Sequence, residues 1–160
     1  YPKKKLTGLD WSKYSVKIID LLRKKKNLNI YGKEFNFFKV NNSLKLPKNT
    51  GVLTFAALEQ TTKKYKNFIN YLLKNNPNIC VHVECMENMY NKKNKIDHLG
   101  YKYHMQRDYL QNFIPYLLKL SKEKKLKIIK IKRLFFGNYY HEIYNYVVWK
   151  PLEALNKEKN

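Results

Sequence analysis

The chain has 160 residues and a hydrophobic content of 44%, so a single domain with a substantial core is expected and an intrinsically disordered chain is excluded. No apolar run approaches the ~18 residues of a membrane span and no secretory leader is visible, so the expected location is cytoplasmic. The formal net charge of +21 brings polyanions into view, but only Arg23, Arg107 and Arg133 carry the forked guanidinium that phosphate and base recognition favour; the lysines come with many Asn, Ile and Tyr residues, a pattern of coding bias.

Lys5 to Leu9 reads as a short strand that ends on Asp10. From Ser12 the spacing turns helical: Tyr14, Ile18, Leu21 and Leu22 recur on one side, with Lys13, Lys17 and Lys24 outward. Ser12 suits an N-cap, since its hydroxyl can accept an orphan amide of the first turn. Asn27 to Tyr31 is a second strand, followed by the aromatic Phe35-Asn36-Phe37-Phe38 and a polar loop from Asn41 to Thr50. Gly51 to Leu58 is almost continuously apolar, the pattern of a strand buried on both faces of a parallel sheet. Glu59-Gln60-Thr61-Thr62 breaks it. A helix with Tyr65, Phe68, Ile69, Leu72 and Leu73 on one side runs to Asn76-Pro77. Ile79 to Glu84 is the next buried strand, again ending on an acid, and Met86 to Asp97 reads as a polar, mobile loop.

Tyr103 to Leu120 is helical in pattern, and Pro115 inside it predicts a kink or a break into two helices. Lys127 to Phe136 alternates, Gly137-Asn138 turns the chain, and Tyr144 to Trp149 is a last strand, so these two form an antiparallel pair. The alternation of strands and helices argues for an α/β layered sheet with right-handed crossovers over residues 1–151, followed by a solvated tail over 152–160. Cys80 and Cys85 lie at an odd offset, on opposite faces of a strand. That spacing provides neither a disulfide framework nor a metal site, so buried free thiols are expected.

Asp10 stands just past the carboxyl end of a strand, where open α/β sheets place ligand-facing groups. An acid there can accept two hydrogen bonds from ribose hydroxyls, or it can simply cap the helix that follows. Glu59 suits a helix start facing the dipole, or a site. Glu84 is a buried strand-end acid, which is costly unless paired. His82 reads as a core histidine, and His98 and His141 carry no argument. Tyr103-His104-Met105-Gln106-Arg107 puts an aromatic ring, a base and a guanidinium together, with Tyr103 and Arg107 on one helix face.

The order of elements and these strand ends resemble the second part of a class I S-adenosylmethionine-dependent methyltransferase, across Lys5 to Lys150. The resemblance implies a partial Rossmann-like sheet, mostly parallel with an antiparallel last strand, and helices on both faces. It implies that Asp10, Trp11, Asn36, Phe37, Ala57 and Leu58 bind S-adenosylmethionine. Asn36 stands where the family more often has an acid; an amide can also bond adenine. It implies that Glu59, Gln60, Tyr103 and Arg107 meet the acceptor, and it offers His104 and Glu84 as catalytic groups, with no metal. The family's first strand and glycine-rich loop are not in the sequence, and the chain opens on Tyr1, so the expectation is a cut with the missing half upstream. The acceptor expected first is a small or sugar-like molecule, held by the segment from Met86 to Leu120. RNA is the second candidate, and a non-catalytic binding module without the glycine loop is the third.

Overall fold

The structure, a computed structural model, describes residues 4–138, 140–142 and 144–152. The proposed tail over 152–160 lies almost wholly outside them. Elements follow in the order β1 (Leu6–Asp10), α1 (Lys13–Lys26), β2 (Ile30–Glu34), β3 (Gly51–Phe55), α2 (Lys66–Asn75), β4 (Ile79–Glu84), α3 (Lys95–Gln106), α4 (Phe113–Lys122), β5 (Leu126–Lys132) and β6 (Asn145–Pro151). Strands β1 and β2 pair in parallel as a two-stranded sheet, and the other four form a second sheet in the order β3-β4-β6-β5. In that second sheet β3 and β4 are parallel, and β6 runs antiparallel to both of its neighbours.

Local chemistry sets the helix ends. Ser12 caps α1 by accepting the Tyr14 amide at 3.2 Å, and Asn27 closes it in the left-handed conformation at φ 48°. Asn76 closes α2 in the same way, and its amide donates to Leu72 O at 2.9 Å. Asn94 caps α3 by accepting the Ile96 and Asp97 amides. The break in the expected long helix falls between Gln106 and Phe113, ahead of Pro115. Proline becomes the third residue of α4, in a first turn whose amides have no intrahelical partner to lose.

The core lies on one face of the four-stranded sheet. Trp149, Val147, Cys80 and His82 are buried there against Phe68, Ile69 and Leu72 of α2 and Phe113, Leu117 and Leu120 of α4. His82 stacks beside Trp149 with centroids 6.0 Å apart and takes the edge of Phe113 at 5.2 Å. Its Nδ1 is 2.9 Å from Thr54 Oγ1, and burial pushes its pKa down to about 3, so it is a neutral core residue.

The β1-α1-β2 unit packs differently. A Cβ on Gly8 would lie 2.6 Å from Ile19 Cδ1, and one on Gly32 would lie 2.9 Å from Val16 O, so the helix rests directly on strand backbone at two glycines. Phe35 ties the unit to the core. Its amide donates to Asp10 O at 2.8 Å, and its ring packs on Phe68 and Tyr71.

Four expectations change. The second strand begins at Ile30 rather than Asn27, because Asn27 is spent on closing α1. β3 is buried on one face only, with Leu53 and Phe55 exposed on the other. Cys85 falls just beyond β4, so both thiols are buried and free without being strand neighbours, and burial pushes each up to about 12. Between Met86 and Asp97 there is a short 3-10 turn at Glu87–Met89, and α3 begins at Lys95.

Candidate functional site

Parallel strands deliver their last residues to one edge, and the antiparallel β6 brings its first residues to the same edge, with Asn145 opposite Glu84. The site residues fall into two groups along this rim. The first is Asp10 and Asn36, joined through Phe35. Asp10 Oδ1 accepts the Ser12 amide at 2.7 Å, and a carboxylate has acceptor capacity on both oxygens. Asn36 Oδ1 accepts the Phe38 and Lys39 amides at 2.8 and 3.3 Å, which uses the side-chain oxygen in a turn and leaves its NH2 donors for other partners. Phe37 packs edge-on against Phe68 at 4.8 Å. Trp11 is 79% exposed.

The second group surrounds the end of β4. Glu84 is fully buried, and its two oxygens accept the Ala57 and Leu58 amides at 3.3 and 3.1 Å. Burial pushes its pKa up to about 7; hydrogen bonds from Thr54 and the two amides oppose that shift, and the nearby Glu59 charge adds to it. Glu84 therefore holds the loop after β3 by its backbone, and no Arg–Glu84 ion pair is found among the described residues. One step along that loop, Glu59 Oε2 lies 3.4 Å from His141 Nε2, both side chains being largely buried. Gln60 is exposed beside them. Tyr103 and Tyr109 flank His141 with ring centroids at 6.1 and 5.4 Å, and Tyr140 adds a fourth ring against Tyr103.

His104 lies behind the rim cluster, with its ring 5.7 Å from that of Tyr109. It is fully buried, with Nε2 2.7 Å from Leu110 O and Nδ1 3.2 Å from Cys85 Sγ. A carbonyl can only accept, so Nε2 carries the proton and Nδ1 faces the thiol. Both nitrogens are occupied, and burial is the main cause holding its pKa below the ordinary value. Arg107 is exposed and donates from Nε to Tyr109 Oη at 3.3 Å.

Sequence reasoning passed over two residues. His141 sits in a turn with no helical or strand spacing around it. Arg133 reads as one more outward cation of an alternating strand. In the structure its guanidinium spans Asp97 of α3, at 2.5 and 2.6 Å, and Glu142, at 2.6 and 2.8 Å, with Met89 O at 3.0 Å. It pins the segment that carries His141 against α3 and holds the Asp97 carboxyl below its usual range. Beside this clamp, a groove of about 440 Å3 opens between Tyr90, Tyr101 and Met105, with Glu87, Lys63 and Gln111 on its walls. Among the described residues, no three His, Cys, Asp or Glu side chains are grouped to hold a metal ion, and no helix is long and apolar enough to cross a membrane.

The sequence matches no protein-family model and no curated protein. Solved structures do match. A SAM-dependent methyltransferase from Methanosarcina mazei superposes with a TM-score of 0.62 at 14% identity, over 91% of this chain and 81% of that one. The methyltransferase domain of bacterial CtHen1-C gives a TM-score of 0.55 at 12% identity, over 92% of this chain and 77% of its own. At such identities the likeness is one of architecture. The chain has the Rossmann-like fold of the S-adenosylmethionine-dependent methyltransferases, in a partial sheet whose last strand runs antiparallel.

Proposed function

We propose that this chain forms most of an S-adenosylmethionine-dependent methyltransferase that modifies a hydroxyl of a small or sugar-like acceptor. The observation that carries this reading is the Glu59–His141 pair on the rim, beside the loop that Glu84 holds. A hydroxyl acceptor must lose its proton as the new bond forms, and a histidine beside a carboxylate is suited to take it. The cofactor, when bound, supplies an electrophilic methyl group.

The residues present fit the adenosine end of that cofactor. Asp10 retains acceptor capacity for ribose hydroxyls, and Asn36 retains amide donors for a ring nitrogen. In this reading Glu84 positions the loop, Glu59 stands beside His141 to balance the charge it gains, and His141 receives the acceptor proton. His104 is a positioning residue that joins α3 to the segment before α4. Tyr103 and Tyr109 wall the acceptor side, Arg107 serves an anionic acceptor group, and the groove beside Tyr90 and Met105 admits the acceptor.

The lysines are spread over both ends of the strands rather than gathered on the rim. Lys124, Lys125 and Lys127 lie at the start of β5 and Lys150 near the end of β6, while Lys63, Lys64, Lys92 and Lys93 lie in rim loops. That distribution favours a small acceptor over RNA. Calorimetric titration with S-adenosylmethionine, on the protein as its gene encodes it, tests the reading. Micromolar binding that weakens about tenfold in Asp10→Ala is expected, the scale of one hydrogen bond to a charged group. A folded protein that gives no heat would remove the enzymatic reading.

A further inference from the structure

We infer that the groove beside Tyr90 is an anchoring subsite for an anionic sugar unit of the acceptor, set across α3 from the Glu59–His141 pair. Such a role rests on the proposed reading of this groove as the acceptor's entrance, and it specifies what that acceptor carries.

The groove wall holds an acceptor atom with nothing to accept. Glu87 lines the groove and is 6% exposed. Its Oε1 accepts the Asn112 amide at 2.7 Å, while its Oε2 is buried with no hydrogen-bond partner among the described residues. Burial is the main cause raising its pKa. The Asn88 side chain is near enough to oppose that rise, yet it makes no hydrogen bond to Oε2. A buried polar atom left unpaired is costly, so this one calls for a partner from outside the chain. A ligand hydroxyl both donates and accepts, and therefore satisfies the carboxyl in either protonation state; an ammonium group satisfies only the ionised one.

The rest of the wall selects the ligand's charge. Lys63 and Lys92 are exposed on it, and neither makes an ion pair among the described residues. Lys92 holds its Nζ 3.8 Å from the centre of the Tyr101 ring, which keeps that charge at the groove. Two cations against one carboxyl repel a cationic ligand and attract an anionic one. An ammonium acts as a point charge, which serves a phosphate or a carboxylate. Tyr101 and Met105, four apart on α3, give an apolar strip for the carbon face of a sugar ring. The Tyr90 wall is held close: a Cβ on Gly100 would lie 2.9 Å from Tyr90 Cε1, so the ring rests on α3 at its glycine.

Placement sets the acceptor's length. At about 100° per residue, Tyr103 stands roughly 200° around α3 from Tyr101, on the flank where its ring meets His141. The groove and the Glu59–His141 pair therefore lie on opposite flanks of one helix. The segment after α3 joins them: the Tyr109 ring is 5.4 Å from that of His141, and Gln111 and Asn112 are on the groove wall. Three residue steps cover roughly 10 Å of extended chain. An acceptor whose hydroxyl reaches His141 while its anionic unit lies in the groove is thus longer than one sugar ring. Glu87, Lys63 and Lys92 position it and do not touch the reacting atoms.

Methyl NMR on the gene-encoded protein, labelled at methionine and free of cofactor, provides the test, with Met105 reporting on the groove and the buried Met86 as control. Glucose 6-phosphate and glucuronate are the probes, with glucose and inorganic phosphate for comparison. At least one anionic sugar should move the Met105 signal and bind about tenfold more tightly than glucose. The tighter of the two tells phosphate from carboxylate. Glu87→Gln should weaken that sugar about fivefold, the scale of one hydrogen bond, and leave inorganic phosphate unchanged. Replacing both exposed lysines, Lys63→Gln with Lys92→Gln, should bring the anionic sugar down to the affinity of glucose while the melting curve stays that of the parent. A Met105 signal that no sugar moves at tens of millimolar would overturn the inference. So would equal affinities for glucose and both anionic sugars, or a double lysine variant that binds like the parent. A protein whose Met105 responds as expected but which gives no heat with S-adenosylmethionine keeps the subsite and loses the proposed reaction. One that binds S-adenosylmethionine while Met105 stays silent loses the subsite alone.

Discussion

The β1-α1-β2 unit and the four-stranded sheet use the same alternation of strand and helix, yet they bury very different amounts of apolar surface. In the larger unit Trp149, Tyr65, Phe113 and Leu72 are all sealed from solvent, while α1 buries no side chain. The smaller unit is held by backbone contact at Gly8 and Gly32, by its own parallel pairing, and by Phe35 reaching into the aromatic cluster on α2. Hydrophobic stabilisation scales with area removed from water, so stability is concentrated in the larger unit. The smaller unit positions Asp10 and Asn36 while contributing little to the core.

The contrast can be broken by truncation. Trp149→Ala should destabilise the protein by about 3–5 kcal/mol in chemical denaturation, whereas Ile18→Ala should cost less than about 1 kcal/mol. Comparable losses would mean that α1 is covered in solution as thoroughly as the core.

A smaller effect is expected at the clamp that holds His141. Arg133→Met leaves Asp97 and Glu142 facing each other without their shared guanidinium, and should cost about 3 kcal/mol, the scale of stripping one partner from a buried pair. Asp97 is held below its ordinary pKa, chiefly by the Arg133 hydrogen bonds. A carboxyl depressed in this way contributes stability above its unfolded value, and loses it as pH falls through the folded one. Melting curves of the parent should therefore decline in acid more steeply than those of Arg133→Met. Parallel acid limbs would show that the clamp does not carry this dependence.

Glu84 has the opposite sign. Its pKa is raised from the ordinary 4.5 to about 7, chiefly by burial. Its stabilising contribution is complete below the unfolded value and is lost as pH rises through the folded one. Between about pH 4.5 and 7 the parent should lose stability on this account, by an amount of the order of 1–3 kcal/mol, and Glu84→Gln should flatten that slope. A Gln variant with an unchanged slope would assign the dependence to another group.

Much of this architecture was legible in the sequence because it follows from local rules. Ser12 announces the start of α1, the apolar run at Gly51 and the alternation at Lys127 announce strands, and the order of elements leads to the fold. What the sequence concealed is non-local. Asn27 reads as strand until its left-handed backbone shows it closing a helix. His104 looks like a base on a helix face until Leu110 O and Cys85 Sγ occupy both of its nitrogens. His141 becomes a candidate only because Arg133 joins its neighbour Glu142 to Asp97 of α3, and because the turn then lies beside Glu59, two acids distant from it in the chain. Burial on two faces can be read from β3, but its covering cannot: on the outer face Leu53 stays exposed, and Phe55 meets the Tyr144 ring at 5.4 Å while remaining half exposed.

The smallest effect expected concerns the polar pair inside the core. His82 Nδ1 and Thr54 Oγ1 satisfy each other at 2.9 Å, while His82 Nε2 and Trp149 Nε1 have no partner among the described residues. Thr54 also donates to the buried Glu84, so removing His82 costs its hydroxyl one of two partners, and His82→Leu alone should lose about 1–2 kcal/mol. Adding Thr54→Val removes the bonds to His82 and to Glu84 together, so the double variant should stay less stable than the parent. The interaction energy from that double-mutant cycle separates the two contributions: a value near zero would mean that His82 stabilises this sheet through its stacking on Trp149 and Phe113 rather than through the bond to Thr54.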